Sequence, residues 1–416
     1  MPLGLVVATV AAGVATVMLR PRGATIDPTS VEQTAYFSQA QIQRAHDFQV
    51  GQRVLGFANL GISGGMLALL ALRPPSPVRA ALAAAGRRPV AVGGAATGAG
   101  LSLALAVVTL PVAVAAHERA VGVGLSTQGL PDWLADVGKS ALLGALLSAG
   151  AAAIALTLVG RFPRHWWAPS AACVAVASAA FVYLSPVLIE PLFNRFTPLA
   201  EGELRSEVID LADRAGVDVG EVYRVDASRR TTGANAYVGG LGSTKRVVLY
   251  DNLLEDFPPR QVRLVVAHEL AHVKHRDLWR GLAWLALVAP GGMLLVQRLT
   301  EALDRRDPRR SAAAATEVLP RLALALAVVS FAGGIAANVT SRRVEAAADA
   351  LALELTQDPA AAIGLERRLA IRNIAEPQPA AVPHTLFGTH PTTMERIGAA
   401  LGWARGAKRR ETQGGS

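Results

Sequence analysis

Residues 266–275 read VAHELAHVKH, in which His268 and His272 stand four positions apart with Glu269 between them. On an α-helix, positions i and i+4 lie on one face with Cβ atoms about 5–6 Å apart. Two imidazoles at that spacing can share one Zn²⁺ ion, and Glu269 would face a water at the metal rather than replace a ligand. The letters also fit an ordinary helix, and His275 offers a second pair with His272 at i, i+3. The intervening glutamate favours His268 and His272 as the pair.

Most of the chain is more apolar than is usual for a soluble protein. Hydrophobic residues make up 51% of it and aromatic residues only 5%, so small and aliphatic side chains dominate. Such a mixture suits helices that pack closely in lipid. Since a span needs about 20 apolar residues, we predict seven spans, near residues 3–19, 54–72, 89–116, 138–160, 166–190, 280–299 and 319–339. The first could instead be a cleaved signal peptide, but it lacks a basic segment ahead of it.

The formal net charge of +9 does not by itself indicate a nucleic-acid partner. The arginines cluster beside the apolar segments, where membrane proteins carry basic residues at the ends of their spans. We therefore expect a lipid bilayer as a partner and no nucleic acid. The single cysteine, Cys173, excludes an internal disulfide framework.

The longest polar stretch, residues 192–279, combines helical and β-type patterns. Residues 203–216 (ELRSEVIDLADRAG) place apolar side chains at helical spacing. Helical character returns at 261–276, the segment that contains VAHELAHVKH. Between them lie three short β-type runs, the last two joined by the glycine-rich turn GGLGSTK, which predicts a hairpin. These runs are residues 221–226, 234–239 and 245–251.

The order of apolar and polar segments divides the chain into four regions. An N-terminal membrane region of about five spans is followed by the catalytic region, a transmembrane hairpin and a helical C-terminal region. Because the hairpin returns the chain to the side that it left, the second and fourth regions can build one site. The boundaries are 1–191, 192–279, 280–340 and 341–416.

A catalytic zinc needs a third protein ligand, and VAHELAHVKH does not supply one nearby. The best candidate lies in residues 341–355, SRRVEAAADALALEL, where Glu345 and Asp349 are i, i+4 on an otherwise apolar helix. Two carboxylates on such a face are costly unless they meet a cation. Glu345 would then be a ligand, and Asp349 would orient a ligand histidine. An exposed helix with scattered acids is the alternative.

Five segments in this order resemble the type I CAAX prenyl proteases, a family of integral-membrane zinc metalloendopeptidases. The resemblance implies a mainly α, polytopic membrane protein with about seven transmembrane helices and a zincin-like catalytic domain with a small β-sheet. It also implies one Zn²⁺ per chain, held by the two histidines and Glu345, with Asp349 behind them and Glu269 as general base. The segments are PLFNRFTPL (191–199), NAY with KRVVLYDNLL (235–254), VAHELAHVKH, SRRVEAAADALAL (341–353) and THPTTMERI (389–397).

The same resemblance assigns roles to three further residues. Asn235, on a β-type run, would hold a substrate carbonyl while an extended peptide adds to an edge strand. His390 would donate to the oxyanion that forms during hydrolysis, and Arg396 would anchor its segment to the carboxylates of the site. The alternatives are a turn asparagine for Asn235 and a helix-start histidine for His390.

The resemblance leaves the substrate and two rival functions open. The loop AAHERAVGVGLSTQGLPDWLAD keeps only part of the family pattern, so only a peptide or protein substrate is expected. The rivals are a heat-shock-type quality-control zinc protease with fewer spans, and a non-enzymatic membrane scaffold, which the intact Glu269 disfavours. From the family we expect the plasma (inner) membrane, with the site facing the cytoplasm, because the charge count does not decide it. The oligomeric state stays open.

Overall fold

The computed structural model describes residues 13–14, 16, 23–218, 221–305 and 314–414. Helices dominate and are numbered in chain order: α1 (Gln39–Leu72), α2 (Ser76–Gly86), α3 (Val90–Gly122), α4 (Leu130–Arg161), α5 (Trp167–Leu188), α6 (Glu203–Ala215), α7 (Asp251–Asp256), α8 (Pro259–Lys274), α9 (Asp277–Arg305), α10 (Val318–Thr356), α11 (Pro359–Arg372), α12 (Ala381–Phe387) and α13 (Thr393–Gly414). The strands are β1 (Phe196–Pro198), β2 (Glu221–Val225), β3 (Ala236–Gly239) and β4 (Arg246–Tyr250).

Six helices of the described part are long and apolar enough to cross a membrane: α1, α3, α4, α5, α9 and α10. They correspond to six of the seven predicted spans. The remaining prediction, near residues 3–19, falls almost wholly outside the described residues. Helix α10 continues without a break from its apolar half into the segment that carries Glu345 and Asp349. The boundary drawn at 340/341 therefore falls inside one helix.

Helices α3 and α4 approach each other closely at two glycines spaced four apart. A Cβ on Gly94 would lie 2.9 Å from the carbonyl oxygen of Ala152, and a Cβ on Gly98 would collide with the carbonyl oxygen of Ser148. Both glycines are buried. Small residues at i, i+4 let helix backbones meet in lipid, where packing rather than the hydrophobic effect drives association.

The sheet has the strand order β1-β2-β4-β3. The three predicted β-type runs are confirmed as strands β2, β3 and β4. Strands β3 and β4 form the expected antiparallel hairpin. The turn requires Gly240, which has φ +83° and no room for a side chain beside Thr244. Strand β1 was not predicted, because three residues ending in Pro198 carry no alternating pattern. Strand β3 lies at one edge of the sheet.

The main core lies between the sheet, helices α6 and α8, and the C-terminal end of α10. Val208 and Leu211 of α6 are buried there, as the predicted helical face requires, and so are Leu249 and Leu270. A polar contact joins this core to the membrane region: Glu190, just after α5, accepts hydrogen bonds from the Tyr237 hydroxyl at 2.6 Å and Arg246 Nη2 at 2.8 Å. The hairpin is therefore held against the end of a membrane helix.

The glycine contact between α3 and α4 gives a test of membrane packing. Gly98→Val should destabilise the folded protein by about 1–3 kcal/mol, because the side chain must push the helices apart. Gly100→Val is the matched control, since a Cβ there meets nothing within 4 Å. Thermal unfolding in detergent should separate the variants; equal midpoints would contradict the close approach.

Candidate active site

The orientation of helix α8 is fixed by its apolar face. Val266, Ala267, Leu270 and Ala271 are completely buried against the sheet and α10. Pro259 at its first position suits a helix start, where the missing N–H costs nothing. The two histidines and the glutamate of VAHELAHVKH lie on the adjoining, partly buried face. The core thus determines where these polar side chains point.

Three side chains converge beside this face: His268, His272 and Glu345, hereafter the donor trio. Their donor atoms lie within 4.8 Å of one another. The Nε2 atoms of the two histidines are 3.2 Å apart, and Glu345 Oε2 is 3.2 Å from His268 Nε2. Tetrahedral donors bound to a zinc-sized ion at about 2.05 Å would be about 3.3 Å apart. The trio therefore fits a metal ion in both chemistry and spacing.

Each histidine of the trio has a carboxylate at its other ring nitrogen. Asp349 Oδ1 lies 2.9 Å from His268 Nδ1, and Asp277 Oδ2 lies 3.0 Å from His272 Nδ1. A carboxylate in this place fixes the tautomer and the ring orientation of a ligand histidine. Sequence reasoning missed Asp277, although it is the first acid after the motif and opens α9. His275 is the C-cap residue of α8 and lies outside the donor trio.

A buried cluster of charges stands behind His268. Arg396 donates from Nε to Asp349 Oδ2 at 2.8 Å and from Nη2 to Asp349 Oδ1 at 2.5 Å. Its Nη1 lies 2.8 Å from Oε1 of Glu366, which sequence reasoning also missed. Burial lowers the pKa of His268, but the nearby carboxylates of Asp349 and Glu345 outweigh it and raise the pKa to about 10. Burial raises the pKa of Glu366 to about 7, against the opposing charge of Arg396.

Glu269 faces the edge of the sheet. Its Oε2 accepts a hydrogen bond from the main-chain N–H of Val238 on β3 at 3.2 Å. Burial raises the pKa of Glu269, and the neighbouring His268 and His272 oppose this shift. The carboxylate therefore lies between the donor trio and the edge strand, in an environment that favours proton uptake.

Asn235 lies immediately before β3 and is exposed. Its main-chain carbonyl accepts from Tyr250 N, while its side-chain Oδ1 accepts from the N–H of Ala236 at 2.9 Å. This bond makes residues 235 and 250 a hydrogen-bonded pair of the antiparallel ladder, so the main-chain carbonyl of Asn235 points toward β4. Because such pairs alternate along the ladder, Ala236 and Val238 direct their main-chain N–H and C=O groups toward the open edge of the sheet. The open edge of β3 therefore begins directly after Asn235.

Two polar side chains that directly follow β4 hold the loop that precedes Asn235. Buried Asp251 accepts hydrogen bonds from Ser228 N at 2.9 Å and Ser228 Oγ at 2.6 Å. Asn252 Nδ2 donates to the carbonyls of Thr231 and Gly233 at 3.1 and 2.7 Å. Asp251 and Asn252, the DN of KRVVLYDNLL, therefore hold the loop that leads into the edge strand β3.

His390 reaches the donor trio from the segment before α13. Its Nε2 lies 3.3 Å from Glu345 Oε2, although its side chain remains 57% exposed. Thr389 Oγ1 lies 2.8 Å from His390 Nδ1, and Arg342 Nη1 donates to the Gly388 carbonyl at 2.6 Å. The structure thus brings every sequence-predicted site residue to one place. A cavity of about 120 Å³ lies among them, with its apolar wall formed largely by α8, α10 and α11.

Comparisons with known proteins identify the family of both halves of the chain. The family model described as "CAAX prenyl protease N-terminal, five membrane helices" matches residues 32–195, and that of peptidase family M48 matches residues 198–404. A Bacillus subtilis protein, "Uncharacterized metalloprotease YhfN", is 31% identical over 71% of this chain and 70% of its own length. CAAX prenyl protease 1 of Saccharomyces cerevisiae is 32% identical over 41% of this chain and 38% of its own length.

A solved structure shares the fold. The crystal structure of S. mikatae Ste24p superposes with a TM-score of 0.71, at 21% identity, over 96% of this chain and 99% of that one. The fold, the membrane helices and the family matches together define an integral-membrane metalloprotease, which acts on peptide substrates. The chain belongs to peptidase family M48 and carries the N-terminal membrane region of the CAAX prenyl proteases.

The contact between His272 and Asp277 predicts a loss of metal affinity on mutation. Asp277→Asn should weaken metal binding about tenfold, the lower end for a carboxylate that orients a ligand histidine. His275→Gln is the control because it changes a nearby histidine outside the donor trio. Titration of detergent-purified protein against a metal chelator measures both variants. A larger loss for His275→Gln would show that the wrong histidine pair has been assigned.

Proposed function

We propose that the protein is a zinc metalloendopeptidase in which His268, His272 and Glu345 hold one Zn²⁺ ion. The convergence of these three donors at the spacing of a tetrahedral site is the observation that carries the proposal. Two histidine nitrogens and one carboxylate oxygen are one of the ligand sets of catalytic zinc sites, which keep a further position open. A zinc ion bound there would supply Lewis acidity and bring the pKa of a water to about 7.

Glu269 is the general base in this proposal. Hydrolysis forms a bond from a water oxygen to the scissile carbonyl carbon and breaks the bond from that carbon to nitrogen. The Glu269 carboxylate takes one proton from the water and later gives it to the leaving amine. Its burial supports this role, because a raised pKa brings a carboxylate closer to the operating pH and makes it a better proton carrier.

The edge of β3 is the proposed binding site for the peptide. Ala236 and Val238 present main-chain groups there, next to Glu269, so an added strand would pass directly across the base. The side-chain amide of Asn235, at the start of this edge, holds a substrate carbonyl beside the scissile bond in this proposal. His390, held near Glu345 by its segment, donates to the developing oxyanion. Asp349 and Arg396 support the ligand side of the site.

The CAAX-type architecture favours this function over its two rivals. A heat-shock-type protease has fewer spans, whereas six described helices of this chain are long and apolar enough to cross a membrane. A non-enzymatic scaffold would have no use for Glu269 at the mouth of a three-donor site. The proposal covers hydrolysis of peptide bonds and does not extend to CAAX substrates, because the yeast CAAX prenyl protease is matched over only 38% of its length.

Loss of the base should separate metal binding from catalysis. Glu269→Gln should retain one zinc per chain and reduce turnover of a fluorescence-quenched peptide library by about 10²–10⁴-fold, the range for general acid–base catalysis. Glu345→Ala, by contrast, should lose most of its zinc. Metal analysis and peptide cleavage on the same preparations test both. Normal cleavage by Glu269→Gln would contradict the proposed mechanism.

We also propose that the site faces the cytoplasm from the plasma (inner) membrane, as the family resemblance implies. Glu201 and Arg87 are both exposed and lie at opposite ends of the membrane helices, since α3 runs from near Arg87 to the loop beside the sheet. In a Cys173→Ser background, Glu201→Cys should react with an impermeant maleimide in inside-out vesicles and Arg87→Cys in right-side-out vesicles. The reverse pattern would place the site on the outer side.

A further inference from the structure

The charge cluster behind His268 extends beyond the residues that any motif assigns. The member farthest from His268 along these contacts is Glu366, which lies on α11 and is only 7% exposed. It contacts Arg396 on α13, which contacts Asp349 on α10, which contacts His268 on α8. A continuous chain of short polar contacts thus runs through four helices to the donor trio.

We propose that Glu366 is a positioning residue, which holds the guanidinium of Arg396 so that Asp349 stays in place to orient His268. The inference rests on the proposed function, because it assigns a role toward the metal that the donor trio would hold. Glu366 touches neither a donor atom nor the reacting atoms, so its effect must pass through Arg396 and Asp349.

The geometry of Arg396 explains why a second carboxylate, besides Asp349, is needed. Asp349 Oδ1 is shared: it lies 2.9 Å from His268 Nδ1 and also accepts from Arg396 Nη2. The two-point contact between Arg396 and Asp349 depends on the plane of the guanidinium. Glu366 holds the opposite corner of that plane through Nη1 at 2.8 Å. Without it, a buried N–H would lose its partner, and the guanidinium could turn toward another acceptor at the expense of Asp349.

Helix α11 has another ion pair that provides a matched control. Arg372 of α11 pairs with Asp256 of α7, and this contact also ties α11 to the catalytic region. It has no link to His268. Asp256→Asn therefore removes an anchor of the same helix without touching the chain of contacts to the donor trio.

The experiment compares Glu366→Gln, Glu366→Leu and Asp256→Asn in detergent-purified protein. The readouts are Zn²⁺ affinity by chelator competition, the visible absorption of Co²⁺-loaded protein, and thermal unfolding of the metal-free form. Glu366→Leu should bind Zn²⁺ about tenfold more weakly, as expected for a change in the support of a ligand histidine, and should alter the Co²⁺ spectrum. Glu366→Gln keeps an acceptor for Nη1 and should stay within about twofold of wild type. Asp256→Asn should also match wild type.

A double-mutant cycle separates positioning from simple stabilisation. If Glu366 acts through Asp349, Glu366→Leu should have little further effect on Zn²⁺ affinity in an Asp349→Asn background, because contacts in one network do not add. If Glu366→Leu lowers the unfolding temperature but leaves Zn²⁺ affinity and the Co²⁺ spectrum unchanged, the ion pair is structural and the inference is overturned. Full additivity with Asp349→Asn would also overturn it.

Failure of this inference is distinguishable from failure of the proposed function. Wild-type protein that binds no Zn²⁺, or that binds it but cleaves no peptide, would refute the proposed function. Wild-type protein that binds Zn²⁺ and cleaves peptide, with Glu366→Leu unchanged in metal affinity, would refute only the role of Glu366.

Discussion

The need to neutralise charge within an apolar frame governs the architecture of this site. The donor trio and its supporting carboxylates lie beside a core made mostly of alanine, valine and leucine side chains. An ionised group in such a place is stable only if it is paired, hydrogen-bonded or bound to a cation. Four carboxylates of the site meet this need: Asp349 and Glu366 share Arg396, Asp277 meets His272, and Glu345 meets His268. Helices distant in sequence are thereby brought to one point.

The continuity of helix α10 couples the membrane region to the donor trio. One helix of 39 residues contains both an apolar segment and the pair Glu345 and Asp349. Successive residues of an α-helix are turned by about 100°, so a rotation of the apolar half would carry Glu345 away from the histidines. The connection from α8 to α9 is equally tight, since it turns through Arg276 with φ +55°. Packing between membrane helices therefore contributes directly to the geometry of the donor trio.

Local patterns predicted the elements, whereas long-range contacts stayed hidden. Hydropathy located the six membrane helices of the described part, short β-type runs and a glycine-rich turn located the hairpin, and i, i+4 spacing selected His268 with His272 and Glu345 with Asp349. Each of these signals lies within a short window of sequence. Glu366 gave no such signal, because its partner Arg396 is 30 positions away on another helix. Asp277 was missed because it follows a helix end, where side-chain direction depends on the turn.

The edge strand has a consequence for how peptides would be selected. The two main-chain N–H groups that β3 directs outward already have acceptors, Asn235 Oδ1 for Ala236 and Glu269 Oε2 for Val238. An incoming backbone would exchange one acceptor for another at these positions, and such an exchange contributes little net free energy. Discrimination between sequences would then come from side chains that enter the neighbouring cavity. In the proposed enzyme, substrate selection would therefore depend more on the side chains of the peptide than on its extended backbone alone.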